Sequence, residues 1–460
     1  MNSGNSFKFR YSRRAGERGQ TIVLVAISIV SLLAMAALAI DVVTLYVARS
    51  EIQRAADAAA LAGAKAIVDS GITSLSSADL TAPAYDPAIQ SLAVSMATAA
   101  INATLSTNSV AANQPTWTNQ PLVINYQPTG TTIDNNPHIT VTLQQGNLPT
   151  FFARIFGRTG ATVTASATAE AYNPANLGSY TPISPKCVKP WLVANADPRQ
   201  TGNAFINVAT GAVEAGALSG LPFDLTPDCS TASATCHGDN PPKALYPPLN
   251  PPSRVEYMVA QVTANTGNVC PACAGATNYE QSIECCDANP YQYLNCGAGT
   301  VNAQWDNGTD PSGASGLSAT GAECLTHASA AGSGQGQDTL DTSLWPAAGP
   351  MKVNAQSGPQ SGNVVSTSSS VVTMPIIDIT TAIGTNVTIV GFLQAFINCV
   401  EDGNYRNCDE VVPPVQRATP GDINITIMNV IGCSATPNGA NPIIGGNGTS
   451  PIPVRLITPP

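Results

Sequence analysis

The sequence predicts an α+β protein carried on a single N-terminal transmembrane helix. Three observations predict it: an uncharged apolar run behind a basic cluster, a change from helical to two-residue periodicity near residue 120, and the confinement of all 12 cysteines to the stretch from Cys187 to Cys433.

The 22 positions from Gly19 to Ile40 carry no charge. At about 1.5 Å per residue they reach about 33 Å, enough to cross a hydrocarbon core of about 30 Å. Lys8, Arg10, Arg13, Arg14 and Arg18 precede the run and Asp41 follows it. This asymmetry predicts a cytoplasmic tail over 1–20, a transmembrane helix over 21–47 and an exported chain beyond. Ala37-Leu38-Ala39 has the small-x-small form of a signal-peptide cleavage site. However, Val42, Val43, Leu45, Tyr46 and Val47 continue the apolar face, and no proline interrupts the chain before Val68, a continuation that a cleaved signal does not need. A carboxylate near the bilayer is costly, up to about 2.5 to 3.5 kcal/mol at its centre. Asp41 therefore either reaches interfacial water or meets a basic group or backbone amide of another membrane component.

Beyond a Ser/Thr/Gly/Pro loop at 70–84, Asp86-Pro87 reads as an N-cap with proline at the first helical position. Ile89, Leu92, Met96, Ala99 and Ala100 give the following helix an apolar face up to about Thr104. Alternation then predicts strands at 122–126, 138–144 and 161–171, with Asp134-Asn135-Asn136-Pro137 as the turn before the second. His138, at the start of that strand, is placed on its solvent face. Phe151, Phe152, Ile155 and Phe156 form an apolar patch expected in the core. Helix followed by small antiparallel sheet defines an α+β exported domain over 70–175.

A Pro/Ser/Asn-rich boundary precedes a second exported region, 187–460, β- and loop-rich and of poor regularity until strands return at 371–380, 386–390, 423–430 and 452–457. Cys187, Cys229, Cys236, Cys270, Cys273, Cys285, Cys286, Cys296, Cys324, Cys399, Cys408 and Cys433 are an even set in a translocated chain, which predicts disulfides. Cys270-Pro271-Ala272-Cys273 has the spacing of a redox dithiol or half a zinc site, yet it sits among Asn, Gly and Pro with other cysteines nearby, which favours structural bridges. His237 and His327 lie near cysteines without a further ligand pattern.

Charged residues are 10% of the chain and the net charge is -10. With the basic residues gathered before the apolar run, the remainder is acidic and offers no basic stripe, so nucleic-acid binding is discarded. The sequence lacks the Gly-x-Ser-x-Gly, His-Glu-x-x-His, Walker and dinucleotide motifs. It is accordingly read as a non-enzyme with no cofactor and no metal.

Gly16-Glu17-Arg18-Gly19-Gln20-Thr21, the run ending Ala36-Ala37-Leu38-Ala39-Ile40-Asp41, Leu45-Tyr46-Val47-Ala48-Arg49 and Ala55-Ala56-Asp57-Ala58-Ala59-Ala60-Leu61-Ala62-Gly63-Ala64 together resemble the TadE/TadG-like group of Tad-type (tight adherence) Flp pilus-assembly proteins. The resemblance covers the segment to about residue 68. It implies an accessory component of an adhesive pilus or an associated secretion machine, in a bacterial inner membrane, with the N-terminus cytoplasmic and the bulk periplasmic or extracellular. It also implies a pilin-like small sheet after the long helix. Processed pilins carry Glu at the fifth mature position, whereas counting from Gly16 gives Thr21 and from Gly19 gives Leu24, which favours the unprocessed TadG-like branch. The Asp-x-Ser-x-Ser metal motif of some relatives is absent.

The implied partners are pilus-assembly or pilin-like membrane proteins, membrane lipid and a second copy of the chain. Ala56, Ala59, Ala60, Gly63 and Ala64 pave one helix face with small side chains, the geometry that admits another backbone, and with Asp41 they are the expected contact residues. The competing classes are an envelope enzyme on the same anchor, hydrolase or thiol oxidoreductase, and a surface adhesin.

Overall fold

The computed structural model describes residues 17–75, 86–129, 132–150, 152–157, 160–171, 183–185, 187–229, 238, 241–245, 253–262, 270–271, 273, 275, 277–285, 303–306, 308–313, 316–326, 337–345, 350–365, 368–380, 383–401, 421–433, 443–444 and 452–457. The tail before Glu17, Phe151, Cys236, His237, Pro247, Pro248, Pro251, Pro252, Cys286, Cys296, His327 and Cys408 lie outside the described residues.

A single helix, α1, runs unbroken from Glu17 to Asp69 over 53 residues. Ala, Leu and Ile fill it and proline is absent, so nothing interrupts its hydrogen-bond ladder. It ends where Gly71 adopts a left-handed conformation at φ 77°, with its N–H on the Val68 carbonyl. A second helix, α2, spans Asp86–Thr107, close to the predicted range. Four strands follow: β1 (Thr116–Trp117), β2 (Asn125–Thr129), β3 (Thr132–Pro149) and β4 (Gly160–Ala171).

The predicted turn at Asp134 to Pro137 is instead part of β3. Tyr126 pairs with Pro137 and Thr129 with Thr132, so the chain reverses between Thr129 and Thr132. Proline lacks the donor N–H but tolerates a strand where that donor is not required, so it did not end β3. Ile139, Val141 and Leu143 are buried in the predicted alternation. His138 is a correction: it is buried, and its Nε2 lies 3.2 Å from Glu170 Oε1. Burial pushes Glu170 up, but hydrogen bonds from His138 and Arg455 outweigh it and hold the carboxyl below its ordinary range.

The chain divides into two compact units, whose boundaries fall inside α1, α2, β3 and β4 and after Asn119. The first comprises 1–56, 105–119 and 141–166. In it β1 pairs antiparallel with β3, Trp117 opposite Leu143, and the Thr142 and Ser166 hydroxyls meet at 3.1 Å.

The second unit comprises 57–104, 120–140 and 167–460. Its centre is formed by β5 (Trp191–Ala194), β6 (Phe223–Pro227), β7 (Ala244–Leu245), β8 (Arg254–Val259), β9 (Val371–Ile377), β10 (Ile389–Val400) and β11 (Ile423–Gly432). The pairing order is β5-β9-β10-β11-β6-β8, and β8 pairs back to β5, Trp191 opposite Val259, so six strands close into a ring with β7 outside on β8. Closure removes the free edges that an open sheet would present. β5 (Trp-Leu-Val-Ala), buried on both faces, shows no alternation and went unpredicted. β6 and β8 do alternate, but over only five and six residues, and they bury their polar residues Asp224, Thr226 and Glu256 as well.

The last strand, β12 (Val454–Ile457), pairs antiparallel with β4, Leu456 opposite Ala169. Between β8 and β9 lie two short helices, α3 (Asn278–Glu284), begun by a Thr277/Glu280 capping box, and α4 (Leu317–Thr326).

Candidate membrane anchor and its junction with the body

The first half of α1 is an open apolar shaft: Ile22, Val23, Leu24, Val25, Ile27 and Ile29 begin a run of exposed aliphatic side chains that reaches Val47. Among the described residues, one helix, Thr21–Asp69, is long and apolar enough to cross a membrane. Three hydroxyls of the shaft are satisfied within the helix. Ser28 Oγ donates to the Val25 carbonyl at 2.9 Å, Ser31 Oγ to Ile27 at 2.8 Å and Thr44 Oγ1 to Ile40 at 2.9 Å. A hydroxyl that back-bonds this way needs no water, which is the condition for a lipid-facing position.

On the opposite side a buried stripe begins at Ala37 and continues through Asp41, Ala48 and Ile52. Asp41 is 3% exposed, and its Oδ2 accepts the backbone N–H groups of Phe152 at 3.0 Å and Ala153 at 2.7 Å. It thereby caps the 3₁₀ turn Ala153–Phe156, whose own N-cap residue Phe152 supplies no side-chain cap and which Gly157 closes at φ 81°. The carboxylate thus faces backbone amides of its own chain, which is neither the interfacial water nor the other membrane component expected. Each charge-assisted bond of this kind stabilises by about 1.5 to 3 kcal/mol. Glu51 Oε2 likewise accepts the Ala111 N–H at 2.9 Å, where the backbone takes φ 47°. Sequence reasoning did not anticipate Glu51, because the partner of a side-chain clamp on a loop amide leaves no residue-type signal. Phe152 is half-buried, and Arg154 is exposed.

The small-residue face requires a correction. Ala56, Ala59, Ala60 and Ala64 are fully buried within the chain, so they are not open to a second molecule. At Gly63 a Cβ would stand 2.5 Å from Ile139 Cδ1 and 2.9 Å from Ile101 Cδ1. Small side chains here admit isoleucines of α2 and β3.

The described cysteines are all bridged. Cys270 pairs with Cys285 and Cys273 with Cys324, so the Cys-x-x-Cys residues bond to the end of α3 and to α4 rather than to each other. Cys187, Cys229, Cys399 and Cys433 are disulfide-bonded as well. Beside α3, Lys189 Nζ donates to the Ile283 carbonyl, and burial pulls the amine down to about 8 against the attraction of Glu284.

Among the described residues, one helix apolar enough to cross a membrane and an α+β chain with internal disulfides are consistent with a membrane-anchored protein. The family model described as putative Flp pilus-assembly TadE/G-like matches residues 19–66, which is the N-terminal segment that carried the resemblance. The matched segment contains the apolar shaft, Asp41, Glu51 and the small-residue face together. Neither a curated protein nor a solved structure matches the chain.

Proposed function

We propose that the protein is a non-enzymatic structural component of a Tad/Flp-type pilus-assembly apparatus, held by α1 in the inner membrane of a bacterium with its body on the outer side. The observation that carries this reading is the TadE/G-like match at residues 19–66, which falls on an exposed apolar shaft with internally satisfied hydroxyls. The orientation is supported by the five basic residues before the shaft. In this reading the contacts with pilus components are made by surfaces other than the buried small-residue face. The paired states of Cys270 and Cys273 favour a scaffold over a thiol oxidoreductase.

A periplasm-active reporter fused after Lys65 should be active and one fused after Arg14 inactive, and the reverse pattern would refute the orientation. Deletion of the gene should abolish or reduce piliation while leaving the pilin subunit synthesised. Normal pili in the deletion strain would remove the assembly role.

A further inference from the structure

We propose that the turn between β3 and β4 is a second membrane contact, seated in the headgroup layer of the outer leaflet beside the helix that grips it. The proposal rests on the transmembrane reading of α1 given above.

Depth comes first. With 21–40 in the hydrocarbon, the 20 residues span about 30 Å, and Asp41 stands at the outer boundary. The bonds from Phe152 and Ala153 to Asp41 then fix the turn at that same level.

The surroundings of the turn are lipid-like on the helix itself. Past Asp41, Val42, Val43, Tyr46 and Val47 remain exposed, Tyr46 at 75%, so the open side of α1 stays apolar for about two more turns. Those residues would be hydrated at a cost in water, whereas the headgroup layer receives aliphatic side chains and a tyrosine favourably. The turn is level with this belt, and its described side chains suit the same layer: half-buried Phe152 for the acyl boundary and exposed Arg154 for phosphate. The Asp41 carboxylate, which would otherwise need water at a place where water is scarce, is satisfied by two amides. The occupant of the turn's outer surface is therefore the lipid interface itself, continuous with the surface that surrounds α1.

The test uses full-length protein in vesicles of phosphatidylethanolamine and phosphatidylglycerol, doped with phosphatidylcholine brominated either near the headgroup end of its acyl chains or near the methyl end. Single tryptophans are added as Val30→Trp in the shaft, and as Phe152→Trp and Arg154→Trp in the turn, and the added emission is read against wild type. Val30→Trp should be quenched by the deep bromines. Emission from the turn variants should be blue-shifted relative to water and quenched more by the shallow bromines than by the deep ones. Loss of Val30→Trp quenching would overturn the transmembrane reading. Quenching at Val30→Trp with neither turn variant quenched by shallow bromines would overturn the second contact alone: red emission would place the turn in water, and blue emission would place it against protein. Because Arg154 is exposed, its variant reports even where Phe152→Trp perturbs packing.

Discussion

Gly63→Ala sets two effects of known sign against each other. In a helix interior alanine is favoured over glycine by about 1 kcal/mol, so propensity alone predicts stabilisation. Packing opposes it. The new Cβ would lie 2.5 Å from Ile139 Cδ1, 2.9 Å from Ile101 Cδ1 and 3.0 Å from Ile101 Cγ1. Both isoleucines are fully buried, so their methyl groups have little room to retreat. Overpacking of this kind costs about 1 to 3 kcal/mol, and the net effect should be a loss of up to about 2 kcal/mol. The assay is the denaturation midpoint of the full chain in detergent for Gly63→Ala, Ile139→Val and the double variant. Ile139→Val removes the Cδ1 atom of the closest contact and alone costs about 0.5 to 1.5 kcal/mol. The double variant should therefore be more stable than the two single losses predict. A Gly63→Ala midpoint above wild type, or strict additivity in the cycle, would refute the packing argument.

Three other outcomes are expected. Burial, reinforced by the neighbouring Asp422 carboxylate, pushes Asp224 from 3.8 up to about 7 against the Asn424 hydrogen bond and Arg254. The folded state thus keeps a proton that the unfolded chain has lost, and stability should fall as pH rises from about 4 to 7; Asp224→Asn should flatten that slope in melts across the range. Replacing both Cys273 and Cys324 by serine should destabilise the second unit by about 2 to 4 kcal/mol, and an unchanged reduced-versus-oxidised midpoint in wild type would contradict it. Asp41→Ala should speed hydrogen exchange at the Phe152 and Ala153 amides while leaving α1 protected; unchanged exchange there would show that the turn is held by something else.

The long apolar helix was legible because its signals are local. A run without charge and an absence of proline each act within α1, and the helix runs through them. The strands around His138 to Gln144 and Ala161 to Ala171 were legible because burial on one face writes alternation into the sequence. The ring was not. Trp-Leu-Val-Ala at β5 has no period, Phe-Asp-Leu-Thr-Pro at β6 alternates too briefly to stand out, and their partners lie far away in sequence at β9 and β11. Nor could sequence tell whose backbone would meet the small residues of α1. The pattern Ala56, Ala60, Ala64 states that something comes close, and the isoleucines of α2 and β3 meet Gly63 in the same chain.

The ring also has a chronology. It consists of two three-stranded halves, β6-β8-β5 from the residues up to Val259 and β9-β10-β11 from Val371 onward. Its seams join β5 to β9 in parallel and β6 to β11 antiparallel. On the proposed topology the N-terminus stays in the cytoplasm and the chain crosses from its α1 end onward, so the first half arrives long before the second and both its outer strands wait with unpaired backbone while 260–370 follows. Cys270, Cys273, Cys285 and Cys324 all emerge inside that interval. Oxidation at this stage would fix the intervening segment before the ring can close, so on the exported reading proposed above the oxidising capacity of the outer compartment and the speed of export set how much of the chain reaches its native form.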